Sequence, residues 1–380
     1  MQAKLSINQI FKFFSIIVLV VFILFAVLKK SFFLLLLFLF LFFSFCTIYF
    51  TKFKNYNLFF SSVFFVLSLT EISINSIYSY ITAGKIEKNK PATYHSNDSS
   101  YGSSDYWITS NHGHTPKNGT YSSKKLTTDG EIIYDVRYTI NKNGQRIGYV
   151  TNSPMNVNFF GCSFTFGEGL NDNETLPYLY GQLKNINTNN FGFHGYGAHN
   201  ALYILNSIDN NPGDINIIIT GLFHIKRQTC SYDWTANHPK YSLKNKLLIY
   251  NGKCVTPYQK LIRKVLNQSN IFKFSKNLMQ NKKTNKNDLD TYIAILKKMH
   301  YISKVNNQKF IIGFLDNYSD GFDKNSIEYV TENIKNFSDQ FILIDLPTDG
   351  AFSIPIDGHP SYYSNQQLAK FLNKNIEIKF

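Results

Sequence analysis

Apolar positions are distributed very unevenly along the chain. Phe13 to Leu28 is almost wholly apolar, Ser31 to Phe50 carries no charge, and Asn57 to Thr70 is a third apolar run. A bilayer span needs about 20 mostly apolar residues. The second run meets that length outright. The first meets it if Ile10 and Phe11 are included and Lys12 snorkels, and the third by extending past Glu71. No small-x-small cleavage site precedes Lys29, so the pattern predicts three transmembrane helices within residues 1–84 rather than a removed leader. A connector of Lys29, Lys30 and Ser31 makes the first two spans an antiparallel hairpin.

Beyond residue 84 the pattern changes twice. Residues 85–125 are polar and rich in Ser, Asn, Gly and Lys, which predicts a stalk and surface loop that includes His112 and His114. Residues 131–150 alternate apolar and polar positions around Asn143-Gly144, a β-hairpin signal. The whole stretch 85–155 reads as a lead-in. From 156 onward, short apolar strands alternate with helical stretches. Strands are predicted at "NVNFFGC", "INTNNFGF", "INIIITGLF", "KFIIGFL" and "QFILIDL". Helices are predicted near 174–184, near 197–209, over "DLDTYIAILKKMHYISKVN", over "SIEYVTENIKNF", and over "SNQQLAKFLNKN" with Ser364 as N-cap. An irregular insertion occupies about 225–285. This alternation predicts an α/β domain over 156–380, a flavodoxin-like three-layer α/β/α arrangement around a mostly five-stranded parallel sheet.

Charge adds orientation. The chain has a formal charge of +14, and residues 1–90 hold nine Lys and two Glu. An N-terminus in the cytoplasm puts Lys4, Lys12, Lys52 and Lys54 inside and only Lys29 and Lys30 outside, as the positive-inside rule requires. Three spans then deliver everything after about Gly84 to the extracytoplasmic side, where a Cys230–Cys254 disulfide is permitted and free thiols are the alternative. The remaining basic excess suits anionic surfaces such as membrane lipid or acidic glycan. No Lys/Arg cluster with interleaved aromatics points to nucleic acid. No Cys-x-x-Cys or His-x-x-x-His spacing points to a metal, and no nucleotide-binding loop points to a cofactor.

In parallel α/β sheets the chemistry lies outside the carboxyl ends of the strands. The first such loop is "GCSFTFGEG", holding Ser163. The second is "NFGFHGYG", with glycines at 192, 195 and 197. The third is "GLFHIKRQ", and the last, "IPIDGHPSYYSNQQ", places Asp357 two residues before His359. A serine hydroxyl needs a base to become a nucleophile, a histidine is that base near neutral pH, and a carboxylate orients the imidazole. Backbone N–H groups must then hold the oxyanion. The alternative for Ser163 is a turn residue opening a helix, and for Asp357 and His359 a loop cap and a solvated histidine. His194 and His199 read as surface histidines.

"GCSFTFGEGLNDNETLP" resembles the first block of the SGNH (GDSL-type) hydrolases, "NFGFHGYG" is similar to their glycine block, and "DGHP" resembles their final block. "YTINKNGQR" resembles the Asn-x-x-Gly-x-Arg segment preceding the first block in many bacterial members. The resemblance covers roughly residues 110–380 and implies Ser163 as nucleophile, His359 as base and Asp357 as its orienting group. It implies the N–H groups of Ser163 and Gly195 as oxyanion donors. Two departures stand out: Cys162 replaces the usual aspartate, and Gly221-Leu222-Phe223-His224 replaces a Gly-x-Asn-Asp block. Phe223 cannot donate a hydrogen bond, which leaves His224 or Arg227 as substitutes.

The resulting expectation is a membrane-anchored bacterial serine esterase or O-acyltransferase. It would act through an acyl-serine on acylated cell-envelope glycan, lipid or another ester. The alternatives are a non-catalytic glycan-binding or assembly module on a degenerate fold, and one half of a transferase that receives acyl groups from a multi-span membrane partner.

Overall fold

The computed structural model describes residues 32–49, 51–86, 93–94, 106–127, 129–209, 211–280, 284–318 and 322–377. The first apolar run lies outside them. The chain divides into two units, residues 1–90 with 256–282, and residues 91–255 with 283–380.

In the first unit, α1 (Phe32–Tyr49) and α2 (Lys54–Ile86) form an antiparallel pair. Phe40 packs on Phe65, Phe43 on Phe60 and Phe64, and Ser44 hydrogen-bonds Ser61 at 2.6 Å. Among the described residues, one helix is long and apolar enough to cross a membrane, over Lys54–Ile74, while Phe33–Thr47 is a shorter apolar helix. Three spans were expected. The helix of the third apolar run, α2, starts three residues before that run does and continues past Glu71 to Ile86.

The second unit opens with β1 (Thr93–Tyr94), a hairpin of β2 (Trp107–Ser110) and β3 (Gly113–Pro116), and β4 (Gly119–Leu126), which pairs antiparallel with β5 (Ile132–Ile140). Two expectations are corrected here. The stretch read as stalk and loop contributes three strands within 107–126. The hairpin partner of β5 is the upstream β4, not the segment after Asn143-Gly144. That turn forms, but beyond it Arg146 makes only single bridges, to Ile140 and to Asn190. β4 reads as polar because only Ser123 and Lys125 of its side chains are buried.

The sheet follows. It is built from β6 (Asn156–Gly161), β7 (Asn187–Gly192), β8 (Ile215–Thr220), β11 (Lys309–Leu315) and β12 (Gln340–Ile344), all parallel, in the order β12-β11-β8-β6-β7. Between the strands, in chain order, come α3 (Ser163–Phe166), α4 (Leu176–Lys184), α5 (Ala198–Leu205), α6 (Phe223–Gln228), the antiparallel β9 (Pro239–Lys244) and β10 (Leu247–Lys253), then α7 (Pro257–Leu266) and α8 (Asn270–Gln280), which belong to the first unit, then α9 (Lys286–Val305) and α10 (Lys324–Lys335); α11 (Tyr362–Asn375) follows the last strand. The segment read as an irregular insertion is therefore regular over most of its length. Cys230 and Cys254 are joined in a disulfide.

Strand side chains alternate faces, and both faces are buried. Ile215, Ile217 and Ile219 join Val157, Phe159 and Ile311 under α4 and α11 through Leu176, Tyr180, Leu368 and Leu372. Ile218, Phe160, Ile312 and Phe314 pack on the other side against Leu202 and Leu205 of α5, Tyr292, Leu296 and Met299 of α9, and Ile334 of α10. The expected five-stranded parallel α/β/α architecture is present. It lines up the ends of β6, β7, β8 and β12 along one edge. The N-cap of the last helix is Ser361, whose side chain accepts from Ser364 N, rather than Ser364 itself.

Candidate active site

Ser163 is the first residue of α3, two residues beyond β6, so its backbone N–H has no acceptor within the helix. The turn back is made by Gly167, whose φ of 82° is left-handed and whose added Cβ would lie 2.6 Å from Thr175. The loop is held by Arg146, a fully buried arginine. It donates to Phe166 O at 2.9 Å, Gly167 O at 2.6 Å and Leu170 O at 2.5 Å, pairs with Asp172 at 2.9 Å, and stacks between Tyr138 and Phe166. The Arg of the Asn-x-x-Gly-x-Arg segment is thus the scaffold of the serine loop.

The loop before α11 brings in the other two groups. Gly358 N bonds Ile354 O at 2.9 Å and Ile354 N bonds His359 O at 2.8 Å, closing a tight turn. Within it Ile356 has φ 66°, which is strained for a β-branched residue. His359 Nε2 lies 2.9 Å from Ser163 Oγ, and its Nδ1 lies 2.5 Å from Asp357 Oδ1. The second carboxylate oxygen accepts from Lys125 of β4. Sequence reasoning named Ser163, Asp357 and His359, and the structure brings all three together.

It also adds groups that sequence reasoning missed. Glu168 is buried and accepts from His194 Nδ1 at 2.8 Å, while the same oxygen, Oε2, lies 3.3 Å from His359 Nε2. His359 therefore faces the serine hydroxyl and a second carboxylate through one nitrogen. Glu168 stood in the quoted block, five residues after Ser163, but nothing local distinguishes it from a solvated turn residue. Lys125 lies 232 positions from Asp357 and had no sequence signal at all.

The electrostatics follow from these contacts. Burial alone would lower the His359 pKa, but the Glu168 and Asp357 carboxylates outweigh it and raise the pKa, against a smaller opposing effect of Lys125. Burial would raise Asp357, yet bonding to His359 and Lys125 brings it down to about 2. Burial would likewise raise Glu168, but the charges of His194 and His359 lower it. The relay thus holds two ionised carboxylates around one imidazole. A base must be neutral to accept the serine proton, so the acid limb of activity should lie above the usual histidine value of about 6.5. Glu168→Gln removes a charge that favours the imidazolium. It should move the acid limb of kcat/KM to lower pH, and an unmoved limb would show that Glu168 does not act on His359.

The remaining predicted residues lie elsewhere in the same loops. Gly195 follows β7 with φ 74°, and an added Cβ would lie 2.7 Å from the Trp234 ring, so any side chain there is both strained and obstructed. The third block is committed to other partners. Phe223 packs on Phe164, which in turn meets the His359 ring edge-on at 5.5 Å. Because α6 begins at Phe223, His224 turns back under the end of β8 and bonds Thr220 Oγ1 at 2.8 Å. Arg227 donates to Tyr196 O and lies 5.0 Å from the Phe223 ring. Neither touches Ser163 or His359 among the described hydrogen bonds and ring contacts. His194 and His199, expected at the surface, are both buried, and His199 Nε2 lies 3.2 Å from His238 Nδ1. His112 and His114 are half-buried: the His112 ring meets Tyr196 edge-on at 6.0 Å and the His114 ring lies 5.6 Å from Trp107. Among the described residues, no group of three His, Cys, Asp or Glu side chains could hold a metal ion.

No family model matches the chain, and no curated protein sequence matches it. Several solved structures are similar to it, among them the following two. One, described as a lipolytic protein of the G-D-S-L family, is from Desulfitobacterium hafniense DCB-2. It is 16% identical with a TM-score of 0.35, over 58% of this chain and 99% of its own. The other is a carbohydrate esterase whose active site is described as having divergent catalytic and non-catalytic binding functions. It is 14% identical with a TM-score of 0.36, over 63% of this chain and 68% of its own. Neither likeness carries a functional inference; the side-chain geometry does.

Proposed function

We propose that this chain is a membrane-anchored serine esterase or O-acyltransferase of SGNH type, with its α/β domain on the extracytoplasmic side. The single observation that carries the proposal is the hydrogen-bonded relay Ser163–His359–Asp357 at 2.9 and 2.5 Å. Ser163 Oγ attacks the ester carbonyl as His359 Nε2 takes its proton. The C–O bond to the alcohol breaks and the alcohol leaves with that proton, giving acyl-Ser163. Water, or a sugar hydroxyl, then gives its proton to His359 as it attacks the acyl carbon; the acyl–Oγ bond breaks, His359 returns that proton to Oγ, and the acyl group leaves as a free acid or a new ester. The Ser163 N–H, at the start of α3, and the Gly195 N–H are the proposed oxyanion donors. A donor of this kind contributes on the order of 3 kcal/mol.

The location is supported by the α2 span, by the basic residues flanking it, and by the Cys230–Cys254 disulfide, a bond that persists in oxidising compartments. Acylated envelope glycan or lipid is the proposed substrate class because an anchored domain meets those esters first. A fluorophosphonate probe tests the chemistry. The purified full chain should be labelled, and Ser163→Ala should not. Absence of labelling on folded wild-type protein would favour a non-catalytic glycan-binding module, a reading consistent with Phe223 in place of an oxyanion donor.

A further inference from the structure

α7 and α8 belong to the same unit as α1 and α2, although about 170 residues lie between the end of α2 and the start of α7. Their sequences are sharply two-sided. In α7, Tyr258, Leu261, Ile262 and Leu266 fall on one arc of the helix, and Gln259, Lys260, Arg263 and Lys264 on the other. Amphipathic helices ordinarily bury the apolar arc, but here Tyr258 is 72% exposed and Leu261 63% exposed. Residues 256–282 hold Lys260, Arg263, Lys264, Lys273, Lys276 and Lys282 and no acidic residue.

The place where this hairpin is fastened is specific. Glu71 of α2 is 1% exposed. Its carboxylate accepts from Ser269 Oγ at 2.9 Å, from Asn270 N, and from Ile271 N at 3.2 Å, so it caps the start of α8. This explains a carboxylate near the end of the apolar stretch of α2, Lys54–Ile74, since three donors and the positive end of a helix offset the cost of burying it. At 1.5 Å per residue Glu71 lies about 26 Å along α2 from Lys54. In a hydrocarbon layer of about 30 Å, that is the far boundary. The turn between α7 and α8 is therefore fixed at the level where an apolar core gives way to headgroups.

We propose that residues 256–282 form an interfacial hairpin that lies on anionic lipid at the C-terminal end of the α2 span, with Tyr258, Leu261 and Ile262 in the acyl boundary and Lys260, Arg263 and Lys264 at the phosphates. Three features together favour a bilayer over a protein partner. The surface is exposed and apolar, it is rimmed by one sign of charge, and it is pinned at interface depth to a span. The inference rests on reading α2 as a membrane helix, which retention of the full chain in membranes through an alkaline wash tests separately.

The hairpin itself is tested with full-length Leu261→Trp and Lys264→Trp in nanodiscs, with the wild type supplying the signal of the two native tryptophans, Trp107 and Trp234. Labelling of Ser163 by the fluorophosphonate checks that each variant is folded. In discs of brominated lipid with a phosphatidylglycerol fraction, the added emission of Leu261→Trp should be blue-shifted and quenched by at least about half, because its side chain sits among acyl chains. Lys264→Trp should instead be quenched by aqueous iodide. Adding Lys260→Glu and Arg263→Glu to Leu261→Trp should weaken the quenching in the anionic discs. Iodide access to Leu261→Trp without bromolipid quenching would overturn the proposal. So would shielding from both quenchers, which would mean a protein partner. Equal quenching in anionic and zwitterionic discs, unchanged by charge reversal, would overturn the anionic assignment.

Discussion

Ser163→Ala should lower kcat for ester hydrolysis by roughly 10⁴–10⁶-fold, with His359→Ala close to it and the double variant no worse than either single change. The reason is that in the proposed mechanism the two side chains perform one step. There Oγ becomes nucleophilic only as Nε2, 2.9 Å away, takes its proton, so removing either group removes the same event. Asp357→Asn should cost about 10⁴-fold with little loss of stability, since an amide can present the wrong partner to Nδ1 and favour the unproductive tautomer. Lys125→Met should cost less, because Lys125 does not touch the imidazole and acts by holding the second Asp357 oxygen. Steady-state kinetics on a short-chain ester, with fluorophosphonate labelling as the count of competent sites, separates these ranks. Strongly additive losses for Ser163→Ala and His359→Ala would show that the pair does not act as a unit and would remove the case for covalent catalysis.

Arg146→Ala should destabilise the α/β domain by about 3–5 kcal/mol, a large share of the stability of about 5–15 kcal/mol that typical domains have. The guanidinium makes five hydrogen bonds, to the carbonyls of Phe166, Gly167, Leu170 and Arg137 and to Asp172, between two aromatic faces. Truncation leaves buried carbonyls without a donor and opens a void between Tyr138 and Phe166. Arg146→Lys should recover only part of the loss, because one ammonium cannot serve a planar fork of acceptors. Thermal unfolding of the detergent-solubilised full chain gives the stability, and kcat of the folded fraction reports whether the serine loop has shifted. A change below about 1 kcal/mol would be the size of an ordinary hydrogen bond and would contradict the scaffold role.

Both predictions turn on groups whose visibility in the sequence differed. Ser163, Asp357 and His359 stood out because each follows a strand end, and strands announce themselves by local apolar runs such as "INIIIT" and "KFIIGFL". Arg146 was visible as part of a motif but not as a buried residue. Glu168 and Lys125 were not visible in any role, and His194 was read as a surface histidine. A buried charge is recognisable only with its partner, and these partners are 26 and 232 positions away. The same holds for Glu71, whose acceptors' donors lie near residue 270.

The sequence by itself determined the order of the five parallel strands after residue 156, the helices that flank them outside 225–285, the apolar character of the N-terminal segment, and the strand-end loops that hold Ser163, Asp357 and His359. Each is set by side chains near one another in the chain, through periodicity, length or turn chemistry. Only the tertiary structure decided that polar β4 pairs with β5, that four histidines assigned to solvent are buried or half-buried, that Ser361 rather than Ser364 caps the last helix, and that a second carboxylate faces His359. Pairing across a sheet and burial of charge depend on what arrives from distant segments, because a hydrogen-bond partner or a low-dielectric wall is a property of space rather than of spacing along the chain.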